Sequence, residues 1–244
     1  MEGKQEVIGR LRQDLLAMQG YKPSQAAKIE RIGMGELEEA FPSGAFPRRA
    51  IHEFVCHSVE EIAATDGFIG GLLSALMIDG KACVWVSTQR RLFPASLAAF
   101  GVEADRIIFI DVSSEREALW VMEEALACEG LAAVVAEVDA LSLIDSRRLQ
   151  LAVEKNGIPG FVIRKDIRRM ASTVSTARWR ISPIPSADES ALPGLGFPRW
   201  QVELLKVRSG KPGIFFLEWA GDIFSQLAKP ESAQPIYLPF ENIG

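Results

Sequence analysis

Two short stretches constrain this chain more than any other. Ile107-Ile-Phe-Ile110 and Ala132-Ala-Val-Val135 are apolar at every position. A strand with one wet face alternates apolar and polar residues, so an unbroken apolar run predicts a strand covered on both faces. Such strands belong inside a parallel sheet with helices on each side. Further β-rich runs at 50–56, 82–87, 106–112, 131–138 and 160–164 alternate with helix-like stretches at 68–78, 94–100, 115–128 and 141–155. That order predicts right-handed βαβ crossovers. In the third helical stretch Leu119, Met122 and Leu126 share one face, with Glu123 and Glu124 turned away.

After Arg164 the helical period stops. Residues 177–184, 200–207 and 214–219 read as strands, and Ser209-Gly-Lys-Pro-Gly213 reads as a turn joining the last two, so the sheet is expected to end in antiparallel strands. Residues 186–198 read as a loop rich in Ser, Pro and Gly. The expected organisation is an α/β core over 31–228, an N-terminal arm over 1–30 and a tail over 229–244. In the arm, Val7, Leu11, Leu15 and Met18 form one apolar stripe at helical spacing, suited to docking on its own core or on a partner.

Composition excludes several classes. With 48% hydrophobic residues the chain is not of the disordered type, and no run approaches the ~20 apolar residues of a membrane span. The first residues lack the plan of a signal peptide, so a cytoplasmic location is the default expectation. Three scattered cysteines do not make a disulfide framework; Cys56 and Cys83 read as small buried hydrophobes. The net charge of −5 argues against a dedicated nucleic-acid binder. Its distribution is uneven, however. Residues 164–213 hold ten Lys/Arg against four Asp/Glu, a local +6, so the remainder carries −11.

A nucleotide-binding α/β fold follows its first strand with a Gly-rich loop and a helix whose N-terminus holds phosphate. Here the connector reads Cys56-His-Ser-Val-Glu-Glu-Ile-Ala-Ala-Thr-Asp-Gly67, with the helix expected from about Thr65. It has one glycine, at its far end, and no lysine occurs between Lys28 and Lys81. Glu60, Glu61 and Asp66 stand where a triphosphate would lie. A carboxylate about 4 Å from a phosphate charge costs roughly 4 kcal/mol at an effective dielectric near 20. ATP binding in the usual way is not expected.

Other chemistry is thin. His52 and His57, the two histidines of the chain, are five apart, which suits neither one helix face nor one strand face, so no metal site is expected. No Gly-x-Ser-x-Gly elbow occurs, so hydrolase chemistry lacks support.

The order of pieces resembles the RecA core over about residues 30–220. The lead-in Arg31-Ile-Gly-Met-Gly35 and Phe41-Pro-Ser-Gly-Ala-Phe-Pro-Arg-Arg49 feeds Ala50-Ile-His-Glu-Phe-Val55, with Glu53 inside the first strand as in that family. Gly80-Lys-Ala-Cys-Val-Trp-Val-Ser87 resembles its second strand, and Ala133-Val-Val-Ala-Glu-Val-Asp-Ala-Leu141 its Walker B strand. More closely, the chain resembles the ImuA family of RecA-like accessory proteins in bacterial mutagenic translesion synthesis. The segments that carry this are Leu92-Phe-Pro-Ala-Ser-Leu-Ala-Ala-Phe-Gly101, Ala118-Leu-Trp-Val-Met-Glu-Glu-Ala-Leu126, Ser146-Arg-Arg-Leu-Gln-Leu-Ala152 and Pro198-Arg-Trp-Gln-Val-Glu-Leu-Leu-Lys-Val-Arg208.

The resemblance implies a RecA-like fold without ATPase activity and without a cofactor. Aligned on RecA, the catalytic glutamate falls on Gln89, a poor general base, and the Walker B aspartate on Glu137. It implies an ImuB-like polymerase homologue, RecA and an error-prone replicative-type polymerase as partners, within SOS-induced lesion bypass. The stretch 164–180 corresponds to the second DNA-contacting loop of RecA, so Arg164, Lys165, Arg168, Arg169, Arg178 and Arg180 are candidate contacts to single-stranded DNA. Six phosphate contacts would give a salt slope of about −4 to −5. The same cations could instead pair with the acidic body or with an acidic partner. Trp179 reads as core. Gln234-Pro-Ile-Tyr-Leu-Pro-Phe240 could strap to the domain or dock in a groove. Two other readings stay open: a SulA-like cell-division inhibitor acting on FtsZ, and a RecA-like ATPase with an unconventional loop.

Overall fold

The structure is a computed structural model that describes residues 31–78, 80–165, 172–186 and 196–229. The stripe Val7, Leu11, Leu15 and Met18, the cations Arg168 and Arg169, and the segment 234–240 lie outside the described residues.

Nine strands form one sheet: β1 (Ile51–Val55), β2 (Ala82–Ser87), β3 (Ile107–Asp111), β4 (Leu131–Val138), β5 (Gly160–Arg164), β6 (Ala177–Ile184), β7 (Arg199–Val207), β8 (Gly213–Ala220) and β9 (Ile223–Gln226). Their order is β3-β2-β4-β5-β1-β6-β7-β8-β9. Neighbours are parallel from β3 to β6. From β6 to β9 they are antiparallel. This is the α/β plan expected, extended by a ninth strand.

The helices are α1 (Glu36–Glu39), α2 (Val59–Leu76), α3 (Glu115–Ala125) and α4 (Leu143–Asn156), with 3-10 turns at Pro94–Phe100 and Ala104–Arg106. Phe68, Ile69, Leu72 and Leu73 of α2 share a core with Phe54, Trp85, Phe161 and Trp179. Ala118 and Met122 of α3 and Leu149 and Val153 of α4 share a second core with Ile51, Val86, Val134 and Val162. Along β2, β4 and β5 alternate residues fall into different cores, so the parallel part of the sheet is covered on both faces, whereas the core residues of β6 to β9 all join the α2 side. β4 fits its sequence reading: Ala133, Val134 and Val135 are fully buried. β3 corrects it. Ile108 is 49% exposed, because β3 is an edge strand with a neighbour on one side alone.

The lead-in before β1 builds an aromatic layer. Phe46 stacks on His52 at 4.3 Å, and Trp179 stacks on Phe54 at 5.7 Å. The imidazole Nε2–H of His52 donates to the Pro47 carbonyl (2.7 Å), and Trp179 Nε1–H donates to His52 Nδ1 (3.2 Å). Both ring nitrogens are thus used by the neutral form, and burial lowers the His52 pKa to about 4. Opposite, α2 presents small residues to bulky ones. A Cβ on Gly71 would lie 2.7 Å from the Phe224 ring and 3.0 Å from Trp219.

Two measurements follow from this packing. Gly71→Val overfills a site walled by two rings and should cost about 1–3 kcal/mol in urea unfolding. For His52 the folded-state pKa of about 4 lies below its ordinary 6.5, so the unfolded chain takes up the proton first. Its contribution is complete above about pH 6.5, is lost as pH falls to about 4, and amounts to roughly 3 kcal/mol. A His52→Gln variant should lack that part of the stability–pH curve.

Candidate functional site

In open α/β sheets ligands bind outside the carboxyl ends of the strands. At that end of β1 the chain turns quickly. β1 stops at Val55 and α2 starts at Val59, so the connector is Cys56, His57 and Ser58. The expectation of a helix from about Thr65 is corrected by one feature, Ser58-x-x-Glu61, a capping-box pattern. Ser58 is extended, and its Oγ accepts the Glu61 amide N–H (3.3 Å). The Glu61 carboxylate turns back and accepts the His57 amide N–H at 2.7 Å. Its other oxygen takes Arg180 Nε (2.9 Å) and Nη2 (2.8 Å). Glu61 is 2% exposed. The positive end of α2, where an anion is most stable, therefore faces a carboxylate of its own chain.

Glu137, at the end of β4, is also buried. Trp85 Nε1–H donates to it from β2 (2.9 Å), and Lys165 Nζ pairs with it at 2.5 Å from just after β5. Asp66 of α2 faces this pair. Burial, reinforced by the Glu137 charge and opposed by Lys165, raises its pKa to about 8, so it is largely protonated at neutral pH. Burial likewise raises the Cys56 thiol to about 12, which makes it an unreactive thiol. Gln89 is exposed and accepts a hydrogen bond from Arg91 Nη2 (2.7 Å).

The third cluster centres on Glu53, with no exposed surface, in the middle of β1. Arg164 Nη1 lies 2.5 Å from one carboxylate oxygen. The other oxygen accepts Thr173 Oγ1–H (2.7 Å), Ser175 Oγ–H (2.9 Å) and Arg178 Nε–H (3.0 Å). Burial pushes the Glu53 carboxyl up, but the Arg164, Thr173 and Arg178 contacts outweigh it and hold the group below its ordinary range.

The four candidate DNA contacts among the described residues are thus drawn to three carboxylates. Arg164 and Arg178 meet at Glu53, Lys165 meets Glu137, and Arg180 meets Glu61. Arg164 is 1% exposed, which removes it from the set able to touch phosphate. Its position on β5 points it at Glu53, across the β1–β5 pairing. Sequence reasoning placed Glu61 and Asp66 at this end of β1 but missed Thr173 and Ser175, and it missed the partners that Glu61 finds. The capping pattern could have shown that Glu61 turns back on the helix start. A charged residue between apolar neighbours in a central strand could have flagged Glu53 as needing cationic partners.

A nine-stranded sheet of this order, parallel and then antiparallel, with helices on its parallel part, is a RecA-like fold. The crystal structure of the RadB recombinase matches with a TM-score of 0.56, covering 82% of this chain and all of that one, at 16% identity, a likeness of fold. No family-wide sequence profile matches the chain. Protein ImuA of Caulobacter vibrioides strain NA1000 / CB15N is 37% identical over 199 residues, 77% of this chain and 82% of that protein. Protein ImuA of strain ATCC 19089 / CIP 103742 / CB 15 matches to the same extent. The chain belongs to the ImuA family.

Glu53 offers the sharpest test of this network. Glu53→Gln leaves two guanidinium groups without their buried counter-charge and should cost about 3–5 kcal/mol in chemical unfolding.

Proposed function

We propose that this chain is a RecA-like adaptor of damage-induced, error-prone translesion DNA synthesis that neither binds nor hydrolyses ATP. The observation that carries this reading is the Glu61 carboxylate at the N-terminus of α2, reached after a three-residue connector and neutralised by Arg180. A triphosphate placed there would have to displace an internal ion pair and then meet a carboxylate at close range. Kinship with ImuA supports the biological setting and suggests an ImuB-like polymerase homologue, RecA and an error-prone replicative-type polymerase as partners. The stripe Val7, Leu11, Leu15 and Met18 is the partner-facing element in this reading.

Protein docking is favoured over direct strand binding by the pairing of Lys165, Arg178 and Arg180. Each phosphate contact made by these residues would have to break an ion pair already present.

Thermal unfolding with Mg-ATP tests the central point. A ligand at 100 times its dissociation constant adds about 2.7 kcal/mol of stability, whereas no stabilisation is expected here. DNA-stimulated ATP turnover that Glu137→Gln abolishes would overturn the reading and favour a true ATPase. Co-purification with FtsZ and with no polymerase component would favour a division inhibitor. Single-strand binding with a salt slope near about −4 would move the cations from acid pairing to DNA.

A further inference from the structure

Two surface features on different faces of the sheet carry complementary charge. The first is a knob that follows β2. In Arg90-Arg-Leu-Phe93, Leu92 is anchored in the core, whereas the Phe93 ring is 71% exposed. The ring stands on a firm base: Pro94 opens the 3-10 turn, and the Phe93 carbonyl accepts both Ser96 N–H (2.9 Å) and Ser96 Oγ–H (2.7 Å). Arg90 is committed to Asp111 through Nε (3.2 Å) and Nη2 (2.7 Å). The neighbouring Arg91 is exposed, and its bond goes to the neutral amide oxygen of Gln89. The knob is therefore an aromatic ring beside a cation that has no anionic partner among the described residues.

The second is a cleft of about 550 Å3 between α3 and α4. Leu119, Ala140 and Leu149 line it, and Trp120 stands at its mouth, 57% exposed. The volume lies in the range of small-molecule clefts, and charged and polar side chains outnumber apolar ones in its lining. Its polar lining is unevenly satisfied. Arg148 is paired with Glu123, whereas Glu115 and Asp145, with Asp139 beside Glu115, have no cationic partner among the described residues. Arg116 offsets part of that charge. Burial and the adjacent Asp139 push the Glu115 carboxyl above its ordinary range, as expected where like charges crowd.

We propose that the Phe93 knob of one copy of this chain seats in the Trp120 cleft of a second copy, with Arg91 meeting Glu115 and Asp145. An aromatic pair flanked by a charge pair is the usual composition of an interface hot spot. The 3-10 turn packs in the same core as α2, and the cleft lies on the α3–α4 side. Knob and cleft are thus different patches on different faces. Such a contact joins two different patches, so it is made once, leaving a free knob and a free cleft, or twice across a two-fold axis.

Sedimentation velocity of the full chain reads the outcome. Wild-type mass should rise with concentration, and the association should weaken as salt goes from about 0.1 M to about 0.5 M. Phe93→Asp and Trp120→Asp should each weaken self-association about 30-fold or more, with unchanged melting, since both side chains are exposed. Mixed in equal amounts, the two variants should form a one-to-one pair and nothing larger, because one keeps the cleft and the other keeps the knob. Arg91→Glu should also weaken association, and mixing it with Asp145→Arg should restore a pair. A wild type that stays monomeric, an aspartate variant that associates like the wild type, or a mixture that stays monomeric would each overturn the proposal.

Discussion

The structure depends on a carboxylate with no access to water. Glu53 sits in the middle of β1, the strand at which the parallel half of the sheet meets β6 and the antiparallel half. A lone buried charge there would be prohibitively unstable. It is tolerated because Arg164 comes from the strand on one side, Arg178 from the strand on the other, and Thr173 and Ser175 from the segment leading into β6. The same group therefore specifies which strands flank β1 and holds the approach to β6 against the sheet. Misregistered pairing would separate the charges and leave them buried without partners, which disfavours other registers.

The same logic recurs at the carboxyl ends of the strands. Glu61 with Arg180 and Glu137 with Lys165 are further internal pairs, each joining elements distant in the chain. A region that in a nucleotide-binding fold would carry uncompensated positive potential is here charge-balanced by its own side chains. Asp66, protonated at neutral pH, completes that balance without adding a charge. The adaptor reading rests on this neutrality, and it also accounts for the basic 164–213 segment of an acidic protein. Much of that positive charge faces inward, toward acids of the same domain.

Burial also separates what is structural from what is displayed. Trp85, Trp179 and Phe161 are fully enclosed, whereas Trp120 and Phe93 stand in solvent on secured supports.

Pattern along the chain determined the parallel sheet, the positions of its strands in the sequence, the switch to antiparallel strands after Arg164 and the core position of Trp179. These are legible because strand and helix periods are local and repeat along the chain. That residues 56–67 hold one glycine and no lysine was legible because residue identity is itself local. The helix start at Val59 was written in Ser58-x-x-Glu61 but hidden by the acids around it. Tertiary structure alone decided that β3 would be an edge, which exposes Ile108, and that Arg164, Lys165, Arg178 and Arg180 would meet buried carboxylates. Glu53 and Arg164 lie 111 residues apart. Spacing along the chain carries no record of which carboxylate a cation will reach, because that is set by the strand order of the folded sheet.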